Sequence, residues 1–338
     1  MISDTLNDKI NGLFIGGALG DAIGAPHEFS WSSVAYTGKL EHCCARHIPF
    51  KMNIDKYDLG QITDDTEMLL CIMNSLIYNK GLYIAADVLT NYICWANQKT
   101  NKVIGRNTKK LFHGITTLKG YEKRYKDLFN TQEKKDSQLS NGALMRSGIF
   151  AIYGLFNDDY ENAIITDCSL TNPGAITIDT NLIFIKTIIY ILKNNVIDKE
   201  DILAYAMNLA TLSKQPKIIT RLNHVKNKIN ENITHEKGYC LHALYCAFFG
   251  LIHFDSYKSA IDYIIKLGGD TDTNACIAGY LLGAYYGIAD MQKNLITQNN
   301  ISVLLNCTTK NGDYERPTEF VLLDYCDKIK YLLNIYEN

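Results

Sequence analysis

The chain has 338 residues, 47% hydrophobic and 21% charged, which is too apolar for a disordered segment and enough for a large core. A formal net charge of −2 offers no global basic field to draw it to nucleic acid or an anionic membrane. No stretch reaches the ~18 uninterrupted apolar residues of a membrane span. Asn181–Leu192 and Ile277–Ala289 are too short, and Lys186 interrupts the first. The N-terminus lacks a charged stretch leading into an apolar run and a small-residue cleavage site, so a cytoplasmic location is expected. Ten cysteines at irregular spacing, with no C-x-x-C pair, read as buried reduced thiols rather than a disulfide framework.

In chain order, the first marked segment is Gly16-Gly17-Ala18-Leu19-Gly20-Asp21-Ala22-Ile23-Gly24-Ala25-Pro26-His27-Glu28-Phe29. Small residues at this density permit close helix packing. They do not explain Asp21 within an apolar stretch, or Glu28 after the turn at Pro26. His42-Cys43-Cys44-Ala45-Arg46-His47 carries soft ligands, but its spacing fits no standard zinc finger or ribbon, so a thiol-bearing surface loop is expected. Thr63-Asp64-Asp65-Thr66-Glu67 follows and opens a helix whose apolar stripe is Met68, Leu69, Ile72, Met73, Leu76 and Ile77. Asp64 and Glu67 alone would resemble a capping arrangement.

A second stripe covers Ala85–Ala96. Lys119–Lys135 mixes basic residues with Glu122, Asp127 and Glu133 and reads as a solvated loop, with a charged surface insertion expected at 121–137. Ser140-Asn141-Gly142-Ala143-Leu144-Met145-Arg146 sets a turn before a helix, a place where backbone N–H groups can meet a phosphate. Stripes continue at Leu144–Leu155, Ile178–Leu192, Ile202–Leu212, Cys240–Ile252, Tyr257–Leu267, Asn274–Tyr286 and Glu319–Leu333. His242 and His253 flank one of them and read as satisfied helix residues. The five prolines all fall between stripes, no period-two alternation appears, and no linker divides the chain. One compact all-α domain over 1–338 is expected.

Gly268-Gly269-Asp270-Thr271-Asp272-Thr273 is the second acidic cluster, again before an apolar helix. Alone it could be a glycine-punctuated turn with a capping Asp or Thr. Alternating carboxylates and hydroxyls on irregular backbone can also aim several oxygens at one point, which suits Mg²⁺, Ca²⁺ or Mn²⁺. Were the two clusters to meet, four Asp carboxylates would repel unless protons or cations intervened.

Together the four segments G-D-A-x-G-x-x-x-E, T-D-D-T, N-G-x-x-M-R and G-G-D-T-D-T, in this order over roughly Ile10 to Gly287, resemble the ADP-ribosylglycohydrolase family. The stretch from Gly238-Tyr239 through Ala275–Gly279 also looks like that family's C-terminal half. The resemblance implies an all-α hydrolase with two divalent cations, Mg²⁺ or Mn²⁺, on Thr63, Asp64, Asp65, Asp270, Asp272 and Thr273. It implies an ADP-ribose site lined by Ser140, Asn141, Gly142, Met145 and Arg146, and proton handling by Glu28 or a cluster carboxylate, Asp64 and Asp65 being the candidates. The expected activity is hydrolysis of the glycosidic bond at the distal ribose of ADP-ribose, removing ADP-ribose from a modified acceptor, in a monomer with no membrane or nucleic-acid partner. The rival readings are a non-catalytic ADP-ribose-binding or structural relative and, behind it, a metal-dependent phosphohydrolase. Two positions depart from the family pattern: Val103 stands where an Asp is usual before Ile-Gly, which points away from arginine-linked substrate, and Asn172 stands where His commonly follows Thr.

Overall fold

The computed structural model describes residues 2–28, 36–40, 44–45, 55–98 and 104–337. The helices among them are α1 (Asp4–Gly24), α2 (Asp64–Tyr78), α3 (Ala85–Ala96), α4 (Arg106–Phe112), α5 (Leu118–Leu128), α6 (Gln132–Asp136), α7 (Ile149–Phe156) and α8 (Tyr160–Ser169). They continue with α9 (Ala175–Lys193), α10 (Lys199–Ser213), α11 (Pro216–Lys226), α12 (Cys240–His253), α13 (Tyr257–Leu267), α14 (Thr271–Met291), α15 (Leu295–Leu305) and α16 (Tyr325–Glu337). Extended pairing among the described residues is confined to Cys44–Ala45 against Asp55–Lys56 and an isolated bridge between Ser140 and Tyr239. The fold is all-α, as the periodicity indicated. The stripes at Ala85–Ala96 and Tyr257–Leu267 coincide with α3 and α13, and that at Cys240–Ile252 with all but the last residue of α12.

The organising contact is α1 against α14, antiparallel. Gly12, Gly16, Gly20 and Gly24 recur every fourth residue and so form one ridge of α1. A Cβ on Gly12 would lie 2.3 Å from the Gly283 carbonyl oxygen, one on Gly16 2.5 Å from that of Gly279, and one on Gly20 2.1 Å from that of Ala275. The two backbones therefore touch along their length, and no residue larger than glycine fits the ridge. This ladder brings Asp21 near the C-terminus of α1 beside Asp272 in the first turn of α14. Both helices are buried along most of their length. Lys9, itself buried, donates from α1 to the carbonyls of Ile191 (3.1 Å) and Asn194 (2.6 Å), satisfying the C-terminal end of α9.

Lys119–Lys135 is not the loop expected from its charge: it lies across α5 and α6. The reason is a face at four-residue spacing. Tyr121 is buried and stacks on Phe112 at 5.8 Å, and Tyr125 meets Phe129 edge-on at 4.8 Å, while the charged residues occupy the outer side. The stripe at Glu319–Leu333 is also interrupted, since α16 begins only at Tyr325. Helix α9 has the length and hydropathy of a membrane span (19 residues, mean hydropathy 1.6), but 61% of that window is buried within the fold. The apolar surface of α9 thus serves the core. His242 Nε2 is paired with the His235 carbonyl at 2.9 Å and His253 Nε2 with that of Val225 at 2.8 Å, so both are satisfied helix residues. The described cysteines are free thiols, most of them buried. Of the His42–His47 segment, only the backbone of Cys44 and Ala45 lies within the described residues, and Val103 lies outside them.

Candidate active site

Asp21 answers the question its position raises. It is fully buried, and its carboxylate accepts from the backbone N–H groups of Thr63 (3.1 Å) and Thr66 (3.2 Å) and from the hydroxyls of Thr63 (2.7 Å) and Thr66 (2.6 Å). A residue of α1 thus caps α2 in place of a local N-cap, for Thr63 makes no capping bond of its own. Burial pushes the Asp21 carboxyl up to about 6, against the opposing pull of these threonine donors. Glu67 does not complete a capping box. It accepts from Trp95 Nε1 (2.7 Å) and from Arg316 Nε (2.5 Å) and Nη2 (3.0 Å), a buried network that Gln98 joins at 2.9 Å from Arg316 Nη2. The capping expectation for Asp64 and Glu67 is therefore replaced by a cap from α1 and an ion pair from the C-terminal segment.

With α2 held so, Asp64 and Asp65 face the first turn of α14. Asp64 accepts from the Gly105 N–H at 2.9 Å. Asp65 Oδ2 lies 2.9 Å from Thr63 Oγ1, whose single proton faces Asp21 at 2.7 Å, and its buried Oδ1 has no hydrogen-bond partner among the described residues. Asp270 accepts from Asn141 Nδ2 at 2.8 Å, and Asp272 from the Thr273 N–H at 2.8 Å. Glu28, Asp270 and Asp272 each present one carboxylate oxygen, all within 4.8 Å of one another. Burial, then Asp21, Asp64 and Asp270, raise the Asp65 carboxyl well above the usual range. Burial, then Glu28, Asp65 and Asp270, do the same for Asp272. The two acidic clusters have met.

These carboxylates form the floor of a cleft of about 790 Å³. Of the residues singled out from the sequence, Glu28, Asp64, Asp65, Ser140, Asn141, Gly142, Met145, Asp270, Asp272 and Thr273 line it. Thr63 does not; its hydroxyl lies between Asp21 and Asp65. Arg146 does not line it either, contrary to expectation. It is fully buried and donates to Asp167 through Nε (2.9 Å) and to the carbonyls of Gly142 (2.6 Å) and Asp167 (2.9 Å), lying 5.0 Å from the centre of the Tyr92 ring. Burial alone would weaken its charge, but Asp167 outweighs that and keeps the guanidinium protonated. Arg146 thus anchors the turn from beneath.

Two further stretches line the cleft, Gly105–Thr108 and Thr234–Gly238, which the sequence touched only at one end each, at Gly105 in the Ile-Gly pair after Val103 and at Gly238. Gly238 has φ +79°: a Cβ there would sit 3.3 Å from Asp270 Oδ2, and its carbonyl accepts from the Asn141 N–H at 2.8 Å. On the other side, Tyr280 of α14 donates to the Met145 carbonyl at 2.9 Å and so ties the turn to the helix that carries Asp272. The all-oxygen donor set and the unpartnered Asp65 Oδ1 fit a hard divalent cation.

Fold and site together describe an all-helical protein with an acidic centre at the floor of a polar cleft. The chain belongs to the ADP-ribosylglycohydrolase family, whose model matches residues 2–303. It is 26% identical to an ADP-ribosylarginine hydrolase, Tri1, of Pseudomonas putida, over 84% of this chain and 72% of that one. It is 24% identical to the ADP-ribosyl-[dinitrogen reductase] glycohydrolase of Rhodospirillum rubrum, over 90% and 94% respectively. A solved structure titled as an ADP-ribosylglycohydrolase-related protein complex superposes with a TM-score of 0.63 at 19% identity, covering 89% of this chain and 99% of that one.

Proposed function

We propose that the chain hydrolyses the glycosidic bond at the distal ribose of ADP-ribose and so removes ADP-ribose from a modified acceptor. In this reading Asp64, Asp65, Asp270, Asp272 and Thr273 would hold two divalent cations, Mg²⁺ or Mn²⁺, with Thr63 joining them through the lone pair its hydroxyl keeps beside Asp65. The observation that carries it is the convergence of carboxylate oxygens from Glu28, Asp270 and Asp272 within 4.8 Å of one another, with buried Asp65 beside them. A buried charge in that state is costly unless a cation or proton offsets it. Bound there, the cations would neutralise the carboxylates, orient ribose hydroxyls and acidify water.

The chain's own residues supply the rest. Glycoside hydrolysis passes through an oxocarbenium-like state and needs a protonated leaving group and a deprotonated water. Glu28 lies at the cleft beside Asp270 and Asp272 and is placed to hold and move that proton at its carboxylate oxygen. Asn141 fixes Asp270 through its amide, and the turn from Ser140 to Met145 forms the wall against which the ligand is oriented. The names of the relatives include arginine-linked and protein-linked substrates, and Val103 argues for a poorer arginine-linked reaction. The test is a panel of arginine-, serine- and acetate-linked ADP-ribose and ADP-ribose polymer, assayed with Mg²⁺, with Mn²⁺ and with chelator. Metal-dependent release of ADP-ribose from at least one conjugate is expected. No release from any conjugate, with free ADP-ribose still bound, would replace the enzyme by a binding protein.

A further inference from the structure

A chain of hydrogen bonds runs from buried Arg146 to the cleft, and its direction can be worked out bond by bond. Arg146 has only donors, so at 2.9 Å from Thr171 Oγ1 its Nη2 must donate, and the threonine oxygen must accept. The Thr171 proton is then directed to Asn172 Oδ1, 2.7 Å away. The orientation of the Asn172 amide is fixed at its other end, where the Ser140 carbonyl can only accept, so Nδ2 is the donor and Oδ1 the acceptor. Nδ2 faces Ser140, donating to its carbonyl at 3.2 Å and its hydroxyl oxygen at 2.8 Å. Asn172 is itself buried and does not line the cleft, whereas Ser140 does. Among the described residues the Ser140 hydroxyl makes no bond in which it is the donor. Its proton is therefore committed to none of them.

We propose that Asn172 is a positioning residue that fixes the Ser140 hydroxyl as a donor toward an acceptor oxygen of the ligand, of the kind carried by a diphosphate or a ribose. This rests on the ADP-ribose reading of the cleft. Arg146, which can only donate, and the Ser140 carbonyl, which can only accept, set the direction of the chain, and neither changes its role with pH near neutrality.

Asn172→Asp preserves shape and still accepts from Thr171, but a carboxylate cannot donate. Ser140 would then turn its proton onto residue 172 and away from the cleft. Calorimetric titration of the full chain with ADP-ribose, and separately with ADP, tests this in wild type, Asn172→Asp, Ser140→Ala and the double variant. Asn172→Asp should raise the Kd for ADP-ribose about tenfold, ~1.4 kcal/mol, and Ser140→Ala by a similar factor. The double variant should bind no more weakly than Ser140→Ala. A full Asn172→Asp penalty persisting without the Ser140 hydroxyl would mean a merely structural role and overturn the assignment, as would unchanged binding in Asn172→Asp. Equal penalties for ADP and ADP-ribose place the accepting oxygen on the diphosphate, and a penalty confined to ADP-ribose places it on the distal ribose. Wild type that binds neither nucleotide removes the ADP-ribose reading of the cleft, and this assignment falls with it.

Discussion

The contact between α1 and α14 makes a prediction opposite in sign to helix propensity. Replacing a glycine inside an exposed helix by alanine gains about 1 kcal/mol. Here the added Cβ at Gly283 would lie 1.9 Å from the Gly12 carbonyl oxygen, and that at Gly20 2.1 Å from the Ala275 carbonyl oxygen. Comfortable contact needs roughly 3.5 Å, so the helices must part by more than about 1 Å. Rotamer changes cannot relieve a clash between backbones, which puts the cost near the upper end of overpacking, about 3 kcal/mol. After the propensity gain, each variant should be destabilised by about 2 kcal/mol. With an unfolding entropy of about 0.7 kcal/mol/K for a chain of this length, that is a fall in Tm of about 3 °C. Calorimetry on both variants, without and with Mg²⁺ or Mn²⁺, separates two effects. Gly20 adjoins Asp21 and packs beside the first turn of α14, whereas Gly283 lies about 16 Å along α14 from Asp272. Gly20→Ala should therefore also blunt the stabilisation by metal, and Gly283→Ala should leave most of it. Alanine variants as stable as the wild type or more so would refute the backbone-to-backbone packing and the account of how Asp21 and Asp272 are brought together.

Saturating Mg²⁺ or Mn²⁺, at about 100 times its Kd, should stabilise the wild type by ~2.7 kcal/mol; Asp272→Ala should remain folded and lose most of that increment, and an equal metal response in the variant would count against the cation site. Glu28→Gln keeps shape and hydrogen bonding but removes the titrating carboxylate, so turnover should fall by roughly 10²–10⁴-fold with ADP-ribose affinity near that of wild type. Turnover within a few-fold of wild type would assign the proton to another group. Arg316→Met leaves Glu67 buried with Trp95 as its remaining donor; breaking a buried pair in this way should destabilise the chain by ~3–5 kcal/mol in denaturant unfolding, and a loss below ~1 kcal/mol would refute a stabilising role for the pair.

The sequence by itself determined the helical class, since the apolar stripes of α3, α12 and α13 carry their own period. It also supplied the acidic motifs and the turn from Ser140 to Arg146, because each is a short run of unusual residues. It could not say what Glu67 or Arg146 does. Both look like site residues beside their motifs, yet each is consumed by a partner distant in the chain, Arg316 and Asp167 respectively. Nor could it show that α5 is helical, since a face of Tyr121 and Tyr125 is legible only once Phe112 and Phe129 are beside it. The stretch Thr234–Gly238 has no motif because it shapes the cleft through backbone and position, not through a distinctive side chain. Above all, the meeting of Asp64 and Asp65 with Asp270 and Asp272 was decided by tertiary structure alone. Glycines at Gly12, Gly16 and Gly20 let two backbones touch, and only that approach sets Asp21 against Thr63 and Thr66 and turns two ordinary helix starts into one acidic centre.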